Sequence, residues 1–252
     1  MNPNNLSTKN TITWCPGCSN FMILEAVKRV FGKLINEGYK QENITIVTGI
    51  GCHAKIFDYL NISGIYGLHG RVLPTALGMK LGNPNLIVLG FGGDGDTYAE
   101  GTSHFIHACR YNIDMTMIVH DNQAFSLTTG QPTPTTQQGY VSKASPFGSE
   151  FMPLNPVKLA LASGSTFIAR CNARDIEGTA EILEKAIKHK GFSFVEVIQP
   201  CLVFNLDMNQ LDKLMYKVKD NKDKNKAEKL VEEWDYNTNK GKIPVGVLYC
   251  EK

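Results

Sequence analysis

"NLIVLGFGGDGDTYAEG", residues 85–101, carries an uninterrupted apolar run into a glycine-rich turn that holds two carboxylates. A run apolar at every position reads as a strand buried on both faces, the habit of parallel sheets. The pattern occurs earlier in "ITIVTGIGC" (44–52), and a third apolar strand is predicted at "MTMIVH" (115–120). Between and around these strands the spacing predicts helices. One follows Ser19 or Asn20, either of which can cap it, with Ile23, Val27, Val30, Phe31 and Leu34 on one face, and ends near Gly38. Others are expected over about Thr97 to Tyr111, over "NPVKLALASG" with Pro156 near its start, and over "DIEGTAEILEKAIKHKG" begun by Asp175. "TFIAR" and "FSFVEVIQPC" are further strands. Strands alternating with helices imply βαβ units and an α/β, doubly wound, mostly parallel sheet. We expect a single domain over 1–252, with a C-terminal extension from about 202. The stretch 128–150 is the longest without periodicity; following a strand end, it is a ligand-loop candidate or disordered.

The 252 residues suffice for a sizeable core, and 42% apolar with 20% charged residues is ordinary for a soluble globular chain. A net charge of +2 gives no electrostatic case for nucleic acid or an anionic membrane. The lysines of 216–229 alternate with acids and amides, as on a solvated surface. The polar N-terminus has no apolar signal region, and no apolar run approaches the ~20 residues that span a bilayer. A cytoplasmic protein is expected. Structural disulfides are rare in that compartment, so seven cysteines need another account, metal or redox chemistry first and buried apolar cysteine second.

The glycines before Asp94 let the backbone approach a ligand, and the following helix start offers N–H groups to an anion. Asp94 and Asp96 would repel a bare phosphate there. A bridging Mg²⁺ removes the conflict, since it binds carboxylate, amide and phosphate oxygens together. Asn122, at the end of the third strand, fits as a second oxygen ligand. "TWCPGCSN" (13–20) places Cys15 and Cys18 at C-x2-C spacing, which alone reads as a redox dithiol, a zinc half-site or an iron–sulfur half-site. No strand precedes it, against the thioredoxin reading. Cys52 and Cys201 each follow a predicted strand, and four thiolates at one sheet edge could hold Zn²⁺ or [4Fe–4S].

Gly93-Asp94-Gly95 through Asp121-Asn122 resembles the thiamine diphosphate motif, usually written GDG to NN, with Asp121 replacing the first Asn. Together with WCPGC, GIGCHAK, LHGR, LTTGQ, QPC and "GKIPVGVLY", it resembles the β subunit of 2-oxoacid:ferredoxin oxidoreductases over about Thr13 to Tyr249. The resemblance implies CoA-dependent oxidative decarboxylation of a 2-oxoacid, with electrons leaving through a [4Fe–4S] cluster to ferredoxin. It implies Mg²⁺ on Asp94, Asn122 and the Ala124 carbonyl, and the cluster on Cys15, Cys18, Cys52 and Cys201. Thiamine diphosphate contacts are implied at Ile50, Gly51, Cys52, His53, Gly95, Asp96, Ser126 and Leu127. Lys55 is a candidate for the substrate carboxylate, and Arg71 could bind an anion or brace its loop; His53 and His69 could take part or serve structure. His104 and His107, at i,i+3 spacing, are read as packing residues, as are Cys109, Cys171 and Cys250.

The family's activating Glu belongs to a pyrimidine-binding domain that this chain has no room for, and no ferredoxin-type cysteine run is present. An α subunit is therefore expected as partner, with γ or δ functions fused to it or separate, and apolar surface at the sheet's ligand edge. Where relatives often carry Lys in "LTKGQ", this chain has Thr129, which shades the expected substrate to pyruvate or another neutral 2-oxoacid over 2-oxoglutarate. The alternatives are an indolepyruvate oxidoreductase, a non-oxidative thiamine-dependent decarboxylase or synthase, and a zinc-stapled, non-catalytic assembly subunit.

Overall fold

The structure is a computed structural model that describes residues 6–251; the first five residues of the polar N-terminus, and Lys252, lie outside the described residues. In chain order the elements are α1 (Asn20–Asn36), β1 (Ile44–Thr48), α2 (Ile56–Tyr59), β2 (Ser63–Tyr66), α3 (Val72–Gly82), β3 (Ile87–Gly93), α4 (Thr102–Tyr111) and β4 (Met115–Asp121). Then follow α5 (Pro156–Ala162), β5 (Phe167–Asn172), α6 (Ile176–Lys188), β6 (Phe192–Ile198), β7 (Met215–Lys217), α7 (Lys224–Glu232), β8 (Trp234–Asp235), β9 (Lys240–Gly241) and β10 (Ile243–Cys250).

Eight strands form one sheet in the order β2-β1-β3-β4-β6-β5-β10-β7, parallel except where β10 runs against β5. The expected doubly wound α/β architecture is present. Strands β4 and β6 are buried at every position, as in a sheet covered on both faces, and even their polar members Thr116, His120, Asp121, Ser193 and Glu196 are buried. On one face α1 and α6 pack with α2 over Ile46, Leu89, Ile118 and Val195. On the other, α3, α4, α5 and α7 cover Val47, Val88, Met117 and Phe194. A smaller core of Ile198, Met208, Leu211, Trp234, Tyr236 and Ile243 lies under the C-terminal segment, whose β10 and β7 complete the sheet edge.

Local chemistry moves several expected boundaries. Ser19 does not cap α1 with its side chain; its hydroxyl lies 3.5 Å from the Pro200 carbonyl instead. Asn155 and Asp175 do cap α5 and α6, each accepting a backbone N–H of the first turn. The first apolar strand stops at Thr48, and Gly51 takes a φ of +145°, open only to glycine. The helix expected from Thr97 instead opens with a π-turn over Asp96–Glu100, and regular α-helix begins at Thr102. π-turns of this kind are frequent at functional sites. The parallel strands β1, β3, β4 and β6 thus deliver GIGCH, GDGD, DNQA and QPC to the same edge of the sheet.

Candidate active site

These loops line a common cleft at the C-terminal ends of the strands, the position at which open α/β sheets bind ligands. Its walls include Ile50, Gly51, Cys52 and His53 after β1, Asp94, Gly95 and Asp96 after β3, and Asn122, Ala124, Ser126 and Leu127 after β4. Every residue expected to touch thiamine diphosphate or Mg²⁺ therefore lines one space. Gly51 and Gly93 make room for the His53 ring: a Cβ on either would stand 2.8–2.9 Å from the imidazole.

The donor set suits a hard cation. Asp94 is buried, and its Oδ2 accepts hydrogen bonds from the hydroxyls of Thr133 (2.6 Å) and Thr135 (3.0 Å). Asn122 turns its Nδ2 to Gln199 Oε1 (3.2 Å), so its Oδ1 is the atom facing the Ala124 N–H (3.2 Å). Gln123, between them, holds a left-handed φ of +53°. That strained turn is fixed by the Asp121 carboxylate on its N–H (3.0 Å) and the Thr136 hydroxyl on its carbonyl (2.7 Å). Burial pushes the Asp94 carboxyl up to about 6, against the opposing hydrogen bonds of the two threonines. Burial and the neighbouring Asp94 charge push Asp121 well above the carboxylate range. Two buried acids sharing Thr135 call for a positive charge.

Further along the wall, Asp96 Oδ1 accepts the Gly70 N–H at 2.5 Å, while its Oδ2 lies 3.4 Å from His53 Nε2 without hydrogen-bond alignment. His120 donates from Nδ1 to Asn20 Oδ1 (2.8 Å), which leaves its Nε2 bare. Burial holds that imidazole far below its ordinary pKa. His53 and His120 both line the cleft, and neither Nε2 is hydrogen-bonded to another described residue, so both could serve a polar ligand there.

The four expected thiols are neighbours beside this cleft. Trp14 Nε1 donates to the Cys52 carbonyl (2.7 Å), tying WCPGC to GIGC, and the Cys18 N–H donates to the Cys15 carbonyl (3.0 Å). Burial pushes the Cys52 thiol up to about 11; Lys55 opposes that, and the charges of Cys18, Cys201 and Cys15 add to it. Cys18 is raised by burial too, with contributions from Cys201 and Cys15. Among the described residues no three His, Cys, Asp or Glu side chains are placed to hold a single metal ion, so the thiols are gathered without converging on one point.

Comparison with known proteins agrees with this geometry. Residues 49–197 match the model of the thiamine pyrophosphate enzyme C-terminal TPP binding domain. The chain is 40% identical over 250 residues to the 2-oxoacid:ferredoxin oxidoreductase subunit beta of Saccharolobus solfataricus, covering 94% of this chain and 81% of that one. It belongs to the 2-oxoacid:ferredoxin oxidoreductase family, as a β subunit. Another relative, the 2-oxoglutarate synthase subunit KorB of Archaeoglobus fulgidus, is 40% identical over 188 residues, 75% of this chain and 69% of that one. The solved 2-oxoglutarate:ferredoxin oxidoreductase from Magnetococcus marinus, with 2-oxoglutarate, coenzyme A and succinyl-CoA bound, superposes with a TM-score of 0.93 at 31% identity, over 100% of this chain and 86% of that one. The protein is thus an oxidoreductase subunit with a thiamine diphosphate-binding fold that acts with partner subunits.

The remaining candidates of this β subunit sit less centrally. Lys55 is half-buried beside Cys52, with Nζ 3.4 Å from the Thr13 carbonyl. Arg71 is exposed and braces its loop, donating to the carbonyls of Gly70 and Glu100 (3.3 Å each). His69 lines the cleft and pairs with Glu100 at 2.9 Å. His107 lies 3.2 Å from Arg110 and stacks on Tyr111. Cys109 and Cys171 are buried in the two main cores, and Cys250 is half-buried against one of them. Thr129 is exposed at φ +79°, unusual for a β-branched residue, while its neighbour Thr128 lines the cleft. Sequence reasoning missed Thr133, Thr135, His120 and Gln199. Among the described residues, no helix is long and apolar enough to cross a membrane.

Proposed function

We propose that this β subunit binds thiamine diphosphate through Mg²⁺ on Asp94, Asn122 and the Ala124 carbonyl, and a [4Fe–4S] cluster through Cys15, Cys18, Cys52 and Cys201. With these groups bound, the assembled enzyme oxidatively decarboxylates a 2-oxoacid, forms acyl-CoA and CO₂, and passes electrons to ferredoxin. The observation that carries this reading is the meeting of one cleft and four thiols at a single sheet edge, with Cys52 belonging to both. Thiamine diphosphate supplies the carbanion chemistry, and the cluster accepts electrons one at a time.

The chain's own residues then have defined tasks. Thr133 and Thr135 hold Asp94, Gln123 turns the Ala124 carbonyl to the cation, and His53 and His120 offer bare nitrogens to the bound cofactor or substrate. Lys55, with one backbone carbonyl as partner, keeps donors for a substrate carboxylate. Ile50 (37% exposed), Leu127 (45%) and Leu68 (73%) expose apolar surface around the ligand edge, as expected for an α subunit that brings the pyrimidine-binding domain and its activating Glu. We read 1–252 as one domain and its setting as cytoplasmic; γ and δ functions belong to the partners.

Two substrate readings stand side by side. Thr129 in place of a lysine favours pyruvate or another neutral 2-oxoacid, whereas the names of several relatives favour 2-oxoglutarate. Rates of the complete complex with pyruvate, 2-oxoglutarate and indolepyruvate decide between them. The cofactor reading is tested by iron, zinc and acid-labile sulfide content after anaerobic purification. About four irons and four sulfides per chain, lost in Cys52→Ser, are expected. One zinc and no sulfide would instead identify an assembly subunit.

A further inference from the structure

One buried side chain bridges the cation site and the thiols. Gln199 follows β6, is 2% exposed, and is locked to the end of β4 by its N–H on the Asp121 carbonyl (2.8 Å). Its Oε1 accepts from Asn122 Nδ2 (3.2 Å), and its Nε2 donates to Ser19 Oγ (3.3 Å) and Cys18 Sγ (3.7 Å). Only one orientation of the two amides satisfies this set. Reversing Gln199 alone would set NH₂ against NH₂ and aim a carbonyl at the Cys18 sulfur. Asn122 binds a cation only through oxygen, so the Gln199 carbonyl selects its competent flip. The Gln199 NH₂, meanwhile, meets the Cys18 sulfur at 3.7 Å.

We propose that Gln199 is a positioning residue for both cofactors: it orients Asn122 Oδ1 toward the Mg²⁺ and donates an N–H to the Cys18 sulfur, raising the potential of the cluster. This rests on the reading of Cys18 as a cluster ligand. Donors to ligand sulfur favour the more negative, reduced state, and outer-shell partners of metal ligands commonly set both affinity and potential. Gln199 occupies both positions at once.

The test uses the complete complex, purified anaerobically, with Gln199→Met and the isosteric Gln199→Glu. Met neither donates nor accepts. Losing one hydrogen bond at each end, about 1 kcal/mol, predicts an about fivefold weaker Mg²⁺-dependent thiamine diphosphate affinity. The reduced-to-oxidised ratio of the cluster at fixed potential should also fall about fivefold, about 41 mV at 59 mV per tenfold. At a pH high enough to ionise it, Glu keeps the acceptor for Asn122 and loses the donor, so the potential measured there should fall while cofactor affinity does not weaken. Redox-titrated EPR and calorimetry read the two effects separately, and iron and sulfide content shows that the cluster is retained. A Met variant with wild-type potential and affinity overturns the bridge. If that variant does not fold, an unshifted potential in Gln199→Glu does so. Wild-type protein with zinc and no sulfide removes the cluster reading itself, and the bridge with it.

Discussion

The Thr133 hydroxyl donates to Asp94 Oδ2 across 2.6 Å, with both groups buried. Thr135 donates to the same oxygen, so two hydroxyls fix the orientation of the carboxylate proposed to hold Mg²⁺. Thr133→Val should cost about 1–3 kcal/mol of stability, because it strips a donor from a buried acid. It should also weaken Mg²⁺-dependent thiamine diphosphate binding. Urea unfolding and calorimetry check this; unchanged midpoint and affinity would refute it.

The proposed Mg²⁺ on Asp94 would make cofactor binding sensitive to acid. The folded pKa of Asp94, about 6, lies above the ordinary 3.8, so without metal the fold holds this proton more tightly than the unfolded chain. That stabilising contribution is present below 3.8 and is lost as pH rises through about 6. Mg²⁺ must displace the proton, so its affinity should fall by up to about tenfold per pH unit below that point. Calorimetry at about pH 5 and about pH 7.5, in buffers of different ionisation enthalpy, reads both the affinity and the proton release.

Gly49 has no reacting role, yet a methyl there would overlap the Asp96 carboxylate. Gly49→Ala should displace Asp96 from the Gly70 N–H, cost about 1–3 kcal/mol, and abolish measurable thiamine diphosphate binding. Retained cofactor affinity in a folded Gly49→Ala protein would show that the Asp96 position is dispensable.

Behind the site, Arg170 and Glu196 form a fully buried ion pair at 2.6 Å, closed by the Tyr236 hydroxyl and covered by Trp234. Glu196→Gln leaves a buried guanidinium without its counter-charge and should cost about 3–5 kcal/mol. The double variant Arg170→Met/Glu196→Leu should recover most of that loss in denaturant unfolding.

The legible parts of this molecule are those whose signal is local. Buried parallel strands spell themselves as apolar runs, and the glycines and acids at their ends mark the cleft, so GIGCH, GDGD and DN could be read directly. Helix α3 could not: it carries Pro74, Gly78 and Gly82, and its apolar residues form no stripe. Nor could the threonine clamp, because Thr133 and Asp94 meet across 39 residues of chain and "TPTT" has no periodicity. Gln199 and His120 lie at strand ends, where a polar residue looks like punctuation until its partners are seen.

Cys15 and Cys18 precede the first helix, Cys52 follows the first strand, and Cys201 leaves β6 deep in the second half of the chain. They become neighbours only after the middle of the sheet has assembled. The proposed four-thiol cluster would therefore be loaded late in biogenesis, into a nearly finished domain, and a ribosome-bound fragment ending before residue 201 lacks Cys201. Iron and sulfide content would then be a quality mark of complete folding, and it should be the first property lost when the two halves of the chain fail to dock.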